Sequence, residues 1–276
     1  MMQVVKVLDY GDHEYFGNIT VDTHNQQFTV VLDTGSAMFW VPGTDCRTNI
    51  IRSTTCYGRH EFVPFSSTTF VKRNETWLIN YHIGEPKGIL GTDTILLDKP
   101  IFTVWMAEQG TAAEIHGGLF TYGGIDTMNC GPVIAYEPIV SSTHYQLKMS
   151  AIEMRNYTHS KVYKAVVDTG TPLIGGPKVV IQKFADAAGA VYNATDNIYR
   201  INCNASDSTL DFVTGKNMYA VEAANYILKS KKCYFAIFSL EWPGFGPEWV
   251  LGTPFIRQFC SISDIRQKEI EFSLSL

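Results

Sequence analysis

The stretch V-V-L-D-T-G-S at positions 30–36 has a close counterpart in A-V-V-D-T-G-T at positions 165–171. In both copies an apolar run leads directly into an acidic turn. A carboxylate at the end of a buried strand is costly unless hydrogen bonds or a second carboxylate stabilise it. Two unrelated strand-end turns are the simpler alternative, because Asp, Thr and Gly are ordinary turn residues. The repeated apolar lead-in, with one copy in each half, favours a shared site formed by Asp33 and Asp168.

The residues that follow each acid have roles that chemistry predicts. Gly35 and Gly170 allow the backbone to turn tightly behind the acid and to present an N–H group to it. Ser36 and Thr171 then supply a hydroxyl to each carboxylate. Thr34 and Thr169 are placed to hydrogen-bond across the join and to hold the two turns together.

Two carboxylates in contact cannot both ionise easily. The pair therefore keeps one proton over an acidic range and offers a general base beside a general acid. Such a pair can activate a water molecule against a carbonyl carbon. The expected chemistry is hydrolysis without a covalent intermediate.

Further motifs carry a family resemblance: E-Y-F-G-N-I at 14–19, F-W-V-P at 39–42, G-I-L-G-T-D-T at 88–94, Y-G-G-I-D at 122–126 and W-V-L-G-T-P-F-I-R-Q at 249–258. With the two D-T-G turns, they make the chain resemble the pepsin-like aspartic proteases, two-lobed endopeptidases in which each lobe contributes one Asp. The resemblance implies that Asp33 and Asp168 are the catalytic dyad, that the substrate is a protein or peptide, and that no cofactor is needed.

The same resemblance implies a substrate-covering flap in the segment N-Y-H-I-G at 80–84. Tyr81 would lie at the tip of this flap with its hydroxyl bound by the indole N–H of Trp40, and His82 and Gly84 would also face substrate. A buried phenol and indole commonly need such partners. From the residues alone, Tyr81 as a strand aromatic and Trp40 as a core residue are the alternatives, since aromatic residues are usually packing.

One departure from the family pattern affects the predicted fold. In pepsin-like enzymes the stretch between the flap and the G-G-I-D strand is much longer, whereas here T-I-L-L at 94–97 leads through D-K-P to I-F-T-V-W at 101–105. The missing segment normally holds an apolar-apolar-Gly strand that crosses behind the first acidic turn. We therefore expect a mainly β, two-lobed pepsin-like fold with an incomplete first lobe, the lobes being 1–135 and 136–276.

The second half keeps the elements that the first half lacks. V-L-G at 250–252 matches the strand that crosses behind the second acidic turn. The best helix candidate runs from Pro177 to Ala188, with Pro177 near its first turn and Gly189 positioned to end it.

Composition supports this class and excludes others. The 276 residues are 45% hydrophobic and 13% aromatic, enough for a sizeable core, with short apolar runs typical of strands. The formal net charge of -5, without a basic stripe, argues against a nucleic-acid partner. The histidines and cysteines lack compact ligand spacing, so no metal site is expected. No apolar run reaches the length of a transmembrane helix, so no membrane partner is expected. The protein is expected to be a monomer.

The six cysteines are consistent with three disulfides. By the resemblance, Cys46–Cys56 and Cys203–Cys233 are family bridges, which leaves Cys130–Cys260 as the third pair. Six free thiols in a reducing compartment are the alternative. Glycosylation triplets begin at Asn18, Asn74, Asn156, Asn193 and Asn204. These features predict the secretory pathway, with an extracellular or lysosomal destination, although no signal peptide is visible.

The sequence thus predicts an aspartic endopeptidase that cleaves internal peptide bonds at acidic pH. The main alternative is a catalytically impaired or inactive secreted relative that binds peptides, which the short first lobe favours. A carbohydrate-binding β domain has only the aromatic content and the strand pattern in its favour.

Overall fold

The computed structural model describes residues 2–36, 38–47, 60–78, 87–93, 100–110, 112–141, 145–229, 232–240 and 246–276. Over these residues the fold is mainly β with few helices, which confirms the predicted class. No helix in this described part is long and apolar enough to cross a membrane.

The elements are named here in chain order. The first eleven strands are β1 Gln3–Tyr10, β2 Glu14–Val21, β3 Gln26–Val31, β4 Val71–Leu78, β5 Lys87–Thr92, β6 Ile101–Met106, β7 Ala113–Tyr122, β8 Cys130–Pro138, β9 Gln146–Met154, β10 Tyr157–Val167 and β11 Ile174–Pro177. The remaining strands are β12 Val191–Asn193, β13 Ile198–Arg200, β14 Leu210–Thr214, β15 Asn217–Val221, β16 Ile227–Leu228, β17 Tyr234–Phe235, β18 Ile237–Leu240, β19 Trp249–Leu251, β20 Phe259–Asp264 and β21 Glu269–Ser275. The α-helices are α1 Lys178–Ala188, α2 Ala223–Tyr226 and α3 Thr253–Gln258, and short 3-10 helices cover Thr44–Arg47 and Pro64–Ser66.

The chain forms two compact units. The large unit contains Met1–Gly17, Val31–Ala37 and Asp98–Leu276, and the small unit contains Asn18–Val30 and Met38–Leu97. Both acidic turns belong to the large unit. This division does not test the predicted lobes 1–135 and 136–276, which remain a prediction.

Two sheets account for most of the architecture. One has eight strands in the order β3-β2-β1-β7-β6-β20-β21-β8, and the other has seven in the order β15-β14-β9-β10-β19-β11-β18. A four-stranded sheet, β12-β13-β17-β16, and the β4-β5 pair are separate. The first acidic turn follows β3 and the second follows β10, so each turn begins where a sheet strand ends.

The core of the large unit is aromatic and aliphatic. Trp249, Phe255, Phe212 and Phe272 are each at most 1% exposed. Phe255 packs edge-on against Phe212 and Phe272, with ring centroids 5.7 and 5.2 Å apart. Aromatic pairs in this geometry stabilise a core beyond the effect of buried area alone.

Helix α1 confirms the sequence prediction almost to the residue. It begins at Lys178, directly after Pro177, and ends at Ala188. Gly189 has φ 71°, a left-handed conformation that favours glycine, and its N–H donates to the carbonyls of Ala185 and Asp186. The face that includes Val180, Ile181 and Phe184 is buried, as the spacing of an amphipathic helix requires.

Two of the three expected disulfides are present. Cys130–Cys260 connects the start of β8 to β20, and Cys203–Cys233 closes a second loop in the large unit. Cys46 is also disulfide-bonded, but Cys56 lies outside the described residues, so the Cys46–Cys56 pair remains a prediction.

The small unit buries much less. Its hairpin of β4 and β5 exposes most of its side chains, and the Trp77 indole N–H donates to the Ile89 carbonyl at 3.3 Å. Phe62 and Phe70 pack edge-on with ring centroids 5.3 Å apart. A two-stranded hairpin by itself is marginally stable in water, so the β4-β5 pair depends on contacts beyond its own ladder.

Candidate active site

Asp33 and Asp168 lie at the ends of two strands that the repeat predicts. Asp33 follows β3 and Asp168 follows β10. The backbone N–H of Asp168 donates to the Leu251 carbonyl of β19 at 3.0 Å, which fixes the start of the second turn.

The two glycines bring the acids together. The N–H of Gly35 donates to Asp33 Oδ1 at 2.7 Å, and the N–H of Gly170 donates to Asp168 Oδ1 at 2.8 Å. A Cβ atom added to Gly35 would lie 2.5 Å from the carboxyl carbon of Asp168, and one added to Gly170 would lie 2.9 Å from that of Asp33. Each glycine therefore makes room for the acid of the opposite turn, and the two carboxyls face each other.

Thr34 and Thr169 hold this arrangement reciprocally. The N–H of Thr34 donates to Thr169 Oγ1 at 3.0 Å, and the N–H of Thr169 donates to Thr34 Oγ1 at 3.1 Å. Each hydroxyl in turn donates to a carbonyl of the opposite strand end, Thr34 to Val167 at 2.8 Å and Thr169 to Leu32. The cross-turn hydrogen bonds expected from the sequence are all formed.

The hydroxyls that follow the glycines differ between the turns. Thr171 Oγ1 donates to Asp168 Oδ2 at 2.6 Å. Among the described residues, no corresponding hydrogen bond joins the Ser36 hydroxyl to Asp33. The sequence predicts a hydroxyl-to-carboxylate hydrogen bond in both turns. In the described part of the chain, the structure shows this bond in the second turn only.

The two acids also differ in environment. Asp33 is exposed, whereas Asp168 is half-buried. Burial, and then the negative charge of Asp33, raise the pKa of Asp168 to about 7, against the hydrogen bonds from Thr171 and Gly170. Asp168 therefore holds a proton throughout the acidic range, and a protonated carboxyl beside an accessible one is the arrangement that acid–base catalysis requires.

Comparison with known proteins identifies the family. The model of the family described as eukaryotic aspartyl protease matches residues 14–98 and 95–275. The chain belongs to this family. "Aspartic protease 6" of Caenorhabditis elegans is 38% identical over 331 aligned positions, covering 98% of this chain and 84% of the relative. "Aspartic protease 1" of the same organism is 30% identical, covering 98% of this chain and 84% of the relative. "Pepsin II-1" of Oryctolagus cuniculus is 29% identical, covering 95% and 81%.

The match also indicates where this aspartyl protease is shortened. The alignment with "Aspartic protease 6" has 331 positions, more than the 276 residues of the whole chain, so the relative has residues in the aligned region that are missing here. The two family matches meet at positions 95–98, where the sequence predicted the missing segment. The predicted class, an aspartic-type endopeptidase with protein or peptide substrates, is confirmed for the family.

The flap residues are a separate matter. Tyr81, His82 and Gly84 lie outside the described residues, so their predicted contacts with substrate remain predictions. Trp40 is 38% exposed and its ring centroid lies 6.0 Å from that of Trp77, both within the small unit. Trp40 is therefore not the fully buried core residue of the alternative interpretation.

Among the described residues, no group of three or more His, Cys, Asp or Glu side chains is arranged to hold a metal ion.

One charged side chain near the site, that of Arg257, was not anticipated from the sequence. Arg257 is 4% exposed and lies on α3, close to the second acidic turn. Its signal was an arginine within the apolar segment T-P-F-I-R-Q, since a buried arginine needs partners.

Proposed function

We propose that this aspartyl protease hydrolyses internal peptide bonds at acidic pH with a water molecule activated by Asp33 and Asp168. The observation that carries the proposal is the pair of facing carboxyls, each backed by the glycine of the opposite turn. Thr34, Gly35, Thr169, Gly170 and Thr171 are assigned supporting roles through their hydrogen bonds around this dyad, and Ser36 is assigned only a minor one.

The two environments suggest a division of roles. Asp33, which is exposed, is the base that takes a proton from water as the water oxygen attacks the carbonyl carbon. Asp168, which retains its proton, gives it to the carbonyl oxygen. The resulting tetrahedral species collapses when Asp33 returns its proton to the amine nitrogen and Asp168 regains one from a hydroxyl, so that the C–N bond breaks and the dyad is restored.

A secretory location is part of the proposal. The Cys130–Cys260 and Cys203–Cys233 disulfides favour an oxidising compartment. Asn74, Asn156 and Asn204 begin glycosylation triplets and are exposed, which is compatible with glycans at these positions. We propose an extracellular or lysosomal monomer without nucleic-acid or membrane partners.

One observation favours a second candidate, a peptide-binding relative with impaired catalysis. Val31, two positions before Asp33, is 46% exposed, whereas Val166, two positions before Asp168, is 2% exposed. The first turn thus has less packing behind it than the second. Poor packing around Val31 would let Asp33 move out of the geometry that catalysis needs.

A peptide-cleavage assay from pH 3 to pH 7 tests the proposal, with Asp33→Asn and Asp168→Asn as separate variants. Each should lower the rate by roughly 10²- to 10⁴-fold, because each removes one half of the acid–base pair. Glu222→Gln, at an exposed site on the large unit, is the matched control and should leave the rate unchanged. A folded wild-type protein that cleaves no peptide across this range would instead support the peptide-binding candidate.

A further inference from the structure

A buried charged cluster lies beside the second acidic turn, within the large unit. Arg257 and Asp12 are each 4% exposed, Tyr15 is 3% exposed and Asp9 is 0% exposed. Burying a charge is costly unless it is paired and hydrogen-bonded, so the partners of Arg257 explain why it is tolerated.

One side of Arg257 is anchored to the turn between β1 and β2. Its Nη1 atom donates to the Tyr15 hydroxyl at 3.2 Å and lies 3.9 Å from Asp12 Oδ1. The Asp12 carboxylate also accepts from the N–H groups of Gln109 at 3.0 Å and Gly110 at 2.8 Å. The Nη2 atom of Arg257 donates to the backbone carbonyl of Asn225 in α2 at 2.8 Å, so the guanidinium is held from two sides.

Burial shifts several ionisable groups around Arg257 toward their neutral forms. Burial raises the pKa of Asp9 to about 7, so Asp9 is neutral in acid. Burial lowers the pKa of His13 and raises the pKa of Tyr15 and Tyr234. The carboxyl group paired with the guanidinium is that of Asp12, whose Oδ1 atom lies 3.9 Å from Nη1.

The same Nη1 atom of Arg257 also reaches the segment that packs on the second acidic turn. It donates to Thr253 Oγ1 at 3.4 Å, and Thr253 Oγ1 donates to the Pro172 carbonyl at 3.3 Å. The Thr253 N–H donates to the Thr171 carbonyl at 2.9 Å. The Thr253 hydroxyl thus links Arg257 to the Pro172 carbonyl, and the Thr253 N–H separately holds Thr171, the residue whose hydroxyl binds Asp168.

The backbone next to Thr253 is closely packed against the second acidic turn. A Cβ atom added to Gly252, which precedes Thr253, would lie 2.2 Å from the carbonyl oxygens of both Thr171 and Leu173. A small displacement of Thr253 is therefore passed on to the turn and cannot be absorbed by free space.

We propose that Arg257 is a positioning residue for the second acidic turn, acting through the Thr253 hydroxyl to hold the Pro172 carbonyl and with it the adjoining Thr171, which binds Asp168. The inference rests on the proposed function, because its consequence is the geometry of the dyad. Arg257 itself does not touch the reacting atoms. Loss of this link loosens Thr171, whose hydrogen bond lowers the pKa of Asp168 against burial, so the pKa of Asp168 rises further.

A matched pair of variants separates positioning from packing. Thr253→Val keeps the shape and removes the hydroxyl, whereas Thr253→Ser keeps the hydroxyl. Thr253→Val should lower kcat roughly fivefold with KM unchanged, as expected for one lost hydrogen bond of about 1 kcal/mol, and should move the pH profile toward higher pH. Thr253→Ser should retain the wild-type kcat and pH profile. Equal loss of kcat in both variants, or no pH shift in Thr253→Val, would overturn the proposal.

A double-mutant cycle tests whether Arg257 acts through Thr253. Arg257→Lys keeps the charge opposite Asp12, but an ammonium cannot reproduce the planar set of guanidinium donors. The effects of Arg257→Lys and Thr253→Val on kcat should not add when combined, because both break the same link. Simple additivity would contradict the inference.

An inactive wild-type protein would end the proposed function without ending this test. Carbon NMR of the Asp168 carboxyl then gives the readout, with the pKa expected to rise in Thr253→Val and to stay at the wild-type value in Thr253→Ser. An unchanged pKa in a folded Thr253→Val protein would overturn the positioning role independently of any cleavage assay.

Discussion

The two acidic turns have nearly the same sequence and very different surroundings. Behind the second turn, β19 lies between β10 and β11, pairing in parallel with Ala165–Val167 and antiparallel with Ile174 and Gly175. The first turn follows β3, which lies at the edge of its sheet in the described part of the chain. A repeated motif therefore fixes the local turn, while strands from elsewhere in the chain decide how firmly the turn is held.

The largest expected difference concerns the crossing strand. Trp249→Ala should destabilise the large unit by roughly 3–5 kcal/mol, because it empties a fully buried aromatic site. Phe39→Ala, after the first turn, removes a side chain that is 58% exposed and should change stability by less than about 0.5 kcal/mol. Urea unfolding of both variants measures the contrast, and equal losses would show that the first turn is covered as well as the second.

The acids themselves should give the next largest effect, through pH. The pKa of Asp168 in the folded protein is about 7, above its value in an unfolded chain. The stability it contributes is therefore fully present below about pH 4 and is lost as pH rises through 7, by up to about 1.4 kcal/mol per pH unit.

Thermal unfolding between pH 4 and pH 7 checks this linkage. In Asp168→Asn, the loss of stability with rising pH that is due to Asp168 should disappear, because the amide does not ionise. Asp33→Asn should lower the pKa of Asp168 by removing the neighbouring negative charge, while burial keeps it raised. A decline with pH that is identical in wild type and Asp168→Asn would show that other groups cause it.

A smaller effect compares equivalent valines of the repeat. Val166→Ala should cost roughly 1–3 kcal/mol, because Val166 is 2% exposed, packed beside β19. Val31→Ala should cost less than about 0.5 kcal/mol, because Val31 is 46% exposed. Denaturant midpoints at a single acidic pH provide the measurement, and a reversed order would contradict the structural contrast.

The smallest effect concerns the hydroxyls after the glycines. Thr171→Val removes the 2.6 Å hydrogen bond to Asp168 and should lower kcat several-fold, the effect of about 1 kcal/mol. Ser36→Ala should leave kcat within about twofold of wild type, because no such bond holds Asp33 among the described residues. Steady-state kinetics of the two variants at acidic pH would distinguish the turns, and equal losses would restore the symmetry that the sequence suggests.

The sequence by itself determined the repeat, the cross-turn roles of Thr34 and Thr169, helix α1 and the position of the shortened segment. These features depend on short motifs, whose turn chemistry and periodicity are local. It did not reveal that Gly35 makes room for Asp168, that Ser36 and Thr171 differ, or that Arg257 reaches the second turn. Only the tertiary structure decided these, because the first and the last depend on the close approach of residues far apart in the chain, and the second depends on the different surroundings of two turns of similar sequence. Buried polar contacts and close backbone contacts are specified by the packing of the whole unit. A short sequence motif does not by itself predict that packing.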